Sequence, residues 1–466
     1  MAKDLVGVRG SFFDFTGDPW KYVGEEQKSA RFIEDGLLVT EEGIIRAFGT
    51  YTDLSPKFPN LHVTHLRDRL ILPGFVDGHV HVPQTRVIGS YGYQLLGWLQ
   101  EWIFPEEMKY KDRAYARDGA RHCVENLLAA GTTTCQAFTT SCPVSTEEFF
   151  EAASRRNMLV VAGLTGIDRF APDDYIDTPA NFQRDSAQLI KTYHRTGRNL
   201  YAITPRFALG ATHDLMVACR NLKRQFPDCW VHTHISENPS EITQLKQFHQ
   251  CDDYLSVYEK YDLVGKKFTA GHGVYLSDSE FQRISRADAA ITFCPCSNLF
   301  LGSGLFRLGR ATDPANRIRL TFGSDVGAGN RFSMLNVLDE AYKVGMCNNT
   351  LLDGSINPGN QNLAEAERNK LSPYRAFYSI TLGGARGLYL DDRIGNFDIG
   401  KEADFVVLDW TAGQRAVAWH HTLLADQGGP KTMDEAAQLL FAMMILGDDR
   451  TVDETWIMAE RSYKKT

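Results

Sequence analysis

Residues 70–81 read LILPGFVDGHVH. Three aliphatic residues lead to a turn at Pro73-Gly74, the chain resumes as Phe75-Val76, and the segment ends in His79-Val80-His81. In an extended segment residues i and i+2 point to the same side, so one strand end presents two imidazoles together. The chain has 13 histidines, so the spacing alone is weak. Its position behind an apolar strand is what makes it informative, and His79 and His81 read as ligands of one metal.

The same stretch marks a change of pattern. Upstream lie short strands separated by Gly17-Asp18-Pro19, Asp35-Gly36 and Glu42-Gly43, with no strong helical period. Downstream, short apolar runs alternate with amphipathic stretches such as 117–130 and 240–249. After LILPGFVD come TTTCQAF (132–138), MLVVAGLT (158–165), YAITPRFAL (201–209), WVHTHI (230–235), KFTAGHG (267–273), AAITFCP (289–295) and RLTFGSDVG (319–327). Eight runs over roughly 260 residues predict an α/β fold, a (β/α)8 TIM-type barrel over 71–396. After Asn396 a β-like segment returns, GNFDIGKEADFVVLDW, then an amphipathic helix at 433–446 and a terminal strand, TVDETWIMAERSY. The two ends, 1–70 and 397–466, are expected to form one small discontinuous β-sandwich domain.

Composition narrows the function classes. Hydrophobic residues make up 43% and charged residues 23% of 466, which is globular and argues against disordered or fibrous chains. The net charge of −8 gives no global footprint for nucleic acid. No apolar run approaches the ~20 residues that span a bilayer, and the start, MAKDLVGVRG, lacks an apolar signal core. A cytoplasmic enzyme with neither nucleic-acid nor membrane partners is expected. Nine scattered cysteines read as reduced core thiols.

The remaining chemistry-bearing residues stand at ends of the predicted strands, the catalytic face of a barrel. His234 ends WVHTHI and Glu237 follows three residues later, a ligand paired with a general acid–base. His232 should point inward one layer lower, as a buried polar residue. His272 ends the AGHG run, and Asp325 ends the eighth run. A carboxylate there completes a three-histidine, one-aspartate set suited to Zn²⁺ or Fe²⁺. PRF (205–207) ends the fourth run, and no lysine stands there to be carboxylated, so the set reads as holding one metal. A cytidine-deaminase type of zinc site needs H-x-E and P-C-x-x-C. His122-Cys123-Val124-Glu125 and Pro295-Cys296 do not supply them.

The chain resembles the amidohydrolase superfamily in PGFVDGHVH, GTTT (131–134), HISE, AGHG, the Ser324-Asp325 pair and IGNFDIGKEADFVVLD. Within it, longer stretches are similar to the guanine deaminases: HVPQTRVIGSYGYQLLGWLQEWIFPEE (81–107), TPRFALG, THISEN, FCPCSNLFLGSGLF and LLFAMMILGDDRTVDETW. The resemblance implies one zinc per chain on His79, His81, His234 and Asp325, with Glu237 shuttling protons. It implies that His272 contacts the substrate and the attacking hydroxide, and that Gln84, Arg206 and Phe207 read a purine. The implied reaction is hydrolysis of guanine to xanthine and ammonia, with a homodimer as the expected assembly.

The chemistry of those side chains agrees. Guanine presents a carbonyl at C6 beside a ring N–H. Arg206 supplies a donor for the carbonyl, and Gln84 supplies a donor and an acceptor. An analogue that leaves such groups unpaired is strongly rejected. Trp98, Trp102 and Phe104 are read as walls for the ring or as ordinary packing. Rival readings are an 8-oxoguanine, pterin or triazine deaminase, or a non-catalytic scaffold, which would have lost its ligands. Cys296 and Asn330 depart from the family pattern without touching the ligand set.

Overall fold

A computed structural model describes residues 5–92, 94–350, 362–412 and 428–466. All candidate site residues lie within them. Four strands precede the barrel: β1 (Leu5–Phe15), β2 (Ala30–Glu41), β3 (Ile44–Thr50) and β4 (His62–Pro73). The alternation of β1 sends Phe12 to one side and Phe13 and Phe15 to the other, into two separate apolar clusters. Gly36 stands across from this strand because a Cβ there would lie 2.7 Å from the Phe12 ring. One helical turn, Tyr51–Leu54, interrupts the β pattern and is capped by the Thr50 hydroxyl.

The barrel strands are β5 (Phe75–His81), β6 (Thr132–Phe138), β7 (Leu159–Gly163), the two-residue β8 (Thr165–Gly166), β9 (Asn199–Pro205), β10 (Trp230–Ile235), β11 (Phe268–His272), β12 (Ala290–Phe293) and β13 (Arg319–Phe322). All pair in parallel in the order β5-β6-β7-β9-β10-β11-β12-β13, with β8 extending the pairing along β9. Every residue of β5, β6, β9 and β10 is buried, as strands covered on both faces must be. The seam between β13 and β5 is closed above the strands. Asp325 N–H donates to the His79 carbonyl at 2.8 Å, and His81 N–H donates to the Val326 carbonyl at 2.9 Å. The helices expected at 117–130 and 240–249 run over Arg113–Ala129 and Pro239–His249.

Two expectations about strand ends change. The run at 158–165 is divided at Leu164 into β7 and β8. The eighth strand stops at Phe322, so Asp325 sits three residues beyond it in a loop, at φ +50°.

β14 (Phe405–Leu408), β15 (Val452–Ile457) and β16 (Glu460–Lys464) join the first four strands in a single mixed sheet of order β16-β15-β14-β4-β1-β2-β3. The β layers expected from the two ends are thus one continuous sheet, with β1 and β4 parallel at its centre. Arg198 ties it to the barrel by reaching Asp404 at 2.5 Å and Glu402 at 2.6 Å. The helix Met433–Leu446 packs on the helices Met334–Asn349 and Pro373–Ser379.

Candidate active site

His79 and His81 project from the last turn of β5, as the i, i+2 spacing requires. His79 stands in a slot kept open by glycines. A Cβ on Gly271 would lie 2.4 Å from its imidazole, and one on Gly323 would lie 2.7 Å from its Cβ. This is the steric reason for glycine before His272 and before Ser324-Asp325. Asp77, two residues earlier, accepts from the backbone N–H of His79 (3.1 Å) and Ser324 (3.0 Å) and from the Ser324 hydroxyl (2.5 Å). It joins β5, which carries His79, to the loop that carries Asp325, and burial pushes its carboxyl up to about 6.

Four donor atoms converge. His79 Nε2 and His81 Nε2 each lie 3.2 Å from His234 Nε2. Asp325 Oδ1 lies 3.3 Å from His79 Nε2 and 3.2 Å from His81 Nε2. A tetrahedral site with bonds of about 2.0–2.1 Å has edges of roughly 3.3–3.4 Å, so these separations fit one small divalent cation. The imidazoles are held in the neutral, ligating form. Burial lowers His79, pushes His81 down to about 3, and drives His234 well below the usual range with its imidazole neighbours. Burial acts to raise Asp325, but its hydrogen bonds with His79 and His81 hold it well below the carboxylate range.

The far nitrogens of two ligands are also occupied. His234 Nδ1 faces the Arg206 carbonyl at 2.6 Å, which fixes Nε2 toward the cation position. His79 Nδ1 lies 3.2 Å from His232 Nε2. The buried polar residue one layer below therefore orients a ligand. His194, Asp228 and Cys229 also cluster, but both His194 nitrogens are bonded, to the Tyr201 N–H and to Asp228, and Arg195 pairs with the same carboxylate.

Glu237 follows β10 through Ser236, whose φ of +50° turns the chain, and it ends where Asn238 caps the next helix. The Asn238–Glu241 capping box fixes this turn. Glu237 is buried, and burial together with Asp325 raises its carboxyl well above the usual range. One carboxyl prepared to hold a proton thus stands near another prepared to stay ionised. His272 Nε2 lies 3.5 Å from Glu237 and 3.8 Å from Asp325, and its Nδ1 lies 2.9 Å from Asn298 Oδ1. Because an amide oxygen only accepts, Nδ1 donates to it, and Nε2 faces the cavity.

His81, His234, Asp325, Glu237 and His272 line one cavity with Gln84, Trp98, Arg206 and Phe207. Phe207 bridges by backbone to His234, and Arg206 is wholly buried. Trp102 and Phe104 do not wall the cavity: the indole N–H of Trp102 reaches the Tyr91 carbonyl, and Phe104 lies under the Arg206 guanidinium at 5.7 Å. Cys296 opens a helix and lies outside the cavity lining.

Sequence reasoning passed over Glu107, whose carboxylate receives Gln84 Nε2 at 2.8 Å, Arg206 Nη1 at 2.9 Å and the Tyr175 hydroxyl. It also passed over Asn298 and Asp77. Asp77 had a signal two residues before His79 in VDGH, and Glu107 was the carboxylate closing a motif rich in apolar residues.

The Amidohydrolase family matches residues 70–461. A guanine deaminase from Escherichia coli is 42% identical over 469 residues, covering 99% of this chain and 98% of that one. The crystal structure of guanine deaminase from Bradyrhizobium japonicum is 65% identical and superposes with a TM-score of 0.98, covering 99% of this chain and 100% of that one. The E. coli enzyme's structure gives a TM-score of 0.89 over 99% of this chain and all of that one. With its barrel, its converging donors and a match along nearly all its length, the chain belongs to the amidohydrolase family, among its guanine deaminases.

Proposed function

We propose that this protein hydrolyses guanine to xanthine and ammonia with one zinc ion held by His79, His81, His234 and Asp325. One observation carries the reading: the cavity lined by His81, His234 and Asp325 of this quartet, with Glu237 and His272, is also lined by a buried Arg206–Gln84 pair suited to a purine carbonyl and ring N–H. The guanine deaminases to which the chain is similar support it.

Arg206 and Gln84 bind the pyrimidine edge of guanine through O6 and N1, and Trp98 and Phe207 enclose the ring. His79, His81, His234 and Asp325 would hold a divalent cation, which when bound would supply the Lewis acidity that makes water a nucleophile at neutral pH. Asp325, held ionised, takes a proton from the attacking water. Glu237, held protonated, gives its proton to N3, which makes C2 electrophilic. His272 Nε2 orients the water toward C2, and Asn298 holds the imidazole through Nδ1. Asp325 passes the proton it took from the water to the amino group, ammonia leaves, and the C2 hydroxyl returns a proton to Glu237 as it becomes the xanthine carbonyl. Burial of all these groups keeps bulk water away from the reacting carbon.

The reading extends to a cytoplasmic homodimer in purine catabolism, with light scattering as the test of assembly. Activity is tested by ammonia release from guanine, 8-oxoguanine, adenine, cytosine and pterins. Guanine should exceed every other substrate in kcat/KM. A higher value for any of them would displace the proposal.

A further inference from the structure

Glu107 ends the helical turn Phe104–Glu107 and is buried, its side chain fully out of solvent and that of Arg206 nearly so. Oε1 accepts from Gln84 Nε2 at 2.8 Å and from Arg206 Nη1 at 3.1 Å. Oε2 accepts from the same Nη1 at 2.9 Å and from the Tyr175 hydroxyl. Three donors converging on two oxygens suit the ionised carboxylate. Neither charge could stand here alone, because an unpaired ion in such surroundings costs several kcal/mol. Together they sum to zero.

The carboxylate also settles which way Gln84 faces. With Nε2 turned to Glu107, Oε1 is left to accept from the Gly327 N–H at 3.1 Å. Each end of the amide keeps one further hydrogen-bonding position for a ligand, and a flip would set its oxygen against the Glu107 carboxylate.

The charge balance bears on what the cavity holds. Guanine is neutral. Deamination replaces its exocyclic amine with a second ring carbonyl, and the flanking ring N–H becomes acidic enough to ionise near neutral pH. A buried guanidinium with no counter-charge would hold that anionic product more tightly than the neutral substrate. Resting on the guanine reading above, we infer that Glu107 is a positioning residue that sets specificity for uncharged purines. It cancels the Arg206 charge and pins the Gln84 amide, so the cavity selects the neutral lactam and releases its acidic product.

The test uses the full chain and two ligands of nearly one shape, xanthine, which ionises, and hypoxanthine, which stays neutral over the same pH range. Binding is followed by calorimetry and by inhibition of guanine turnover. In the unaltered protein, xanthine should weaken relative to hypoxanthine as it ionises. Glu107→Gln should reverse this trend, tightening xanthine relative to hypoxanthine by roughly 10-fold or more, as an unpaired charge 4–6 Å away does. Arg206→Gln should shift the ratio the opposite way, and Glu107→Asp, which keeps the charge, should retain the original trend. If Glu107→Gln does not fold, the other two variants still carry opposite expectations. Equal weakening of both ligands at every pH in the variants would reduce Glu107 to a structural role and overturn the inference. Failure of the unaltered protein to release ammonia from guanine refutes the functional reading instead, while the binding measurements still decide the charge rule.

Discussion

Replacing Arg206 by methionine keeps the apolar stem of the side chain and removes the guanidinium with its charge. The structure sets two separate costs. First, Glu107 loses the cation 2.9 Å away and keeps only Gln84 and Tyr175. Breaking one side of a buried ion pair costs about 3–5 kcal/mol, because the remaining charge is stranded out of water. Second, the bound purine loses a charge-assisted hydrogen bond worth about 1.5–3 kcal/mol, a fall in kcat/KM of roughly 10- to 150-fold. The Arg206 carbonyl facing His234 Nδ1 belongs to the backbone and remains, so the metal quartet should survive. Guanidinium unfolding of wild type, Arg206→Met, Glu107→Gln and the double variant separates the two costs. The double variant should recover stability relative to Arg206→Met, with a coupling of at least ~1 kcal/mol. Additive effects within ~0.5 kcal/mol would show that the two groups do not share their charge, and the reasoning would fail.

Metal analysis after gentle purification should give about one zinc per chain, and two tightly held equivalents would refute the single-cation quartet. Glu237→Gln should keep zinc, fold and guanine binding while kcat drops ~10²–10⁴-fold; near-normal kcat would remove Glu237 from proton transfer. His232→Phe takes away the partner of His79 Nδ1 and should weaken metal affinity ~10–100-fold in chelator competition, with the fold intact. Glu241 is pushed by burial and by Glu237 from 4.5 up to about 7, so between these values the folded state keeps a proton that the unfolded state has lost. Its stabilisation is complete below that window and declines through it by about 3 kcal/mol. Glu241→Gln, which stays neutral, should therefore match wild type near pH 4.5 and exceed it in unfolding free energy near pH 8, whereas a pH-independent difference would exclude the effect.

The sequence by itself determined the barrel, because strands buried on both faces must be short apolar runs and the helices between them must be amphipathic. It also marked His79, His81, His234 and Asp325, which the structure brings together. An i, i+2 pair at a strand end is a local arrangement, and the polar residues ending other strands must meet at the same face. TTTCQAF and WVHTHI coincide with β6 and β10 residue for residue for this reason. The loop after β13 was less legible. Asp325 reaches the quartet through backbone bonds to β5 and the Asp77 bridge, which are contacts across the barrel seam. Glu107, Tyr175 and Asn298 left no comparable trace. Glu107 is 99 residues from Arg206 in the chain, and nothing in the spacing of the two ties a carboxylate to that guanidinium. His232 was read correctly as buried, but its bond to His79 depends on how β10 and β5 face one another across the barrel. Local periodicity fixes which way a side chain points from its own strand. Which buried charges neutralise each other is settled by packing between elements far apart in sequence, and only the tertiary structure decided that.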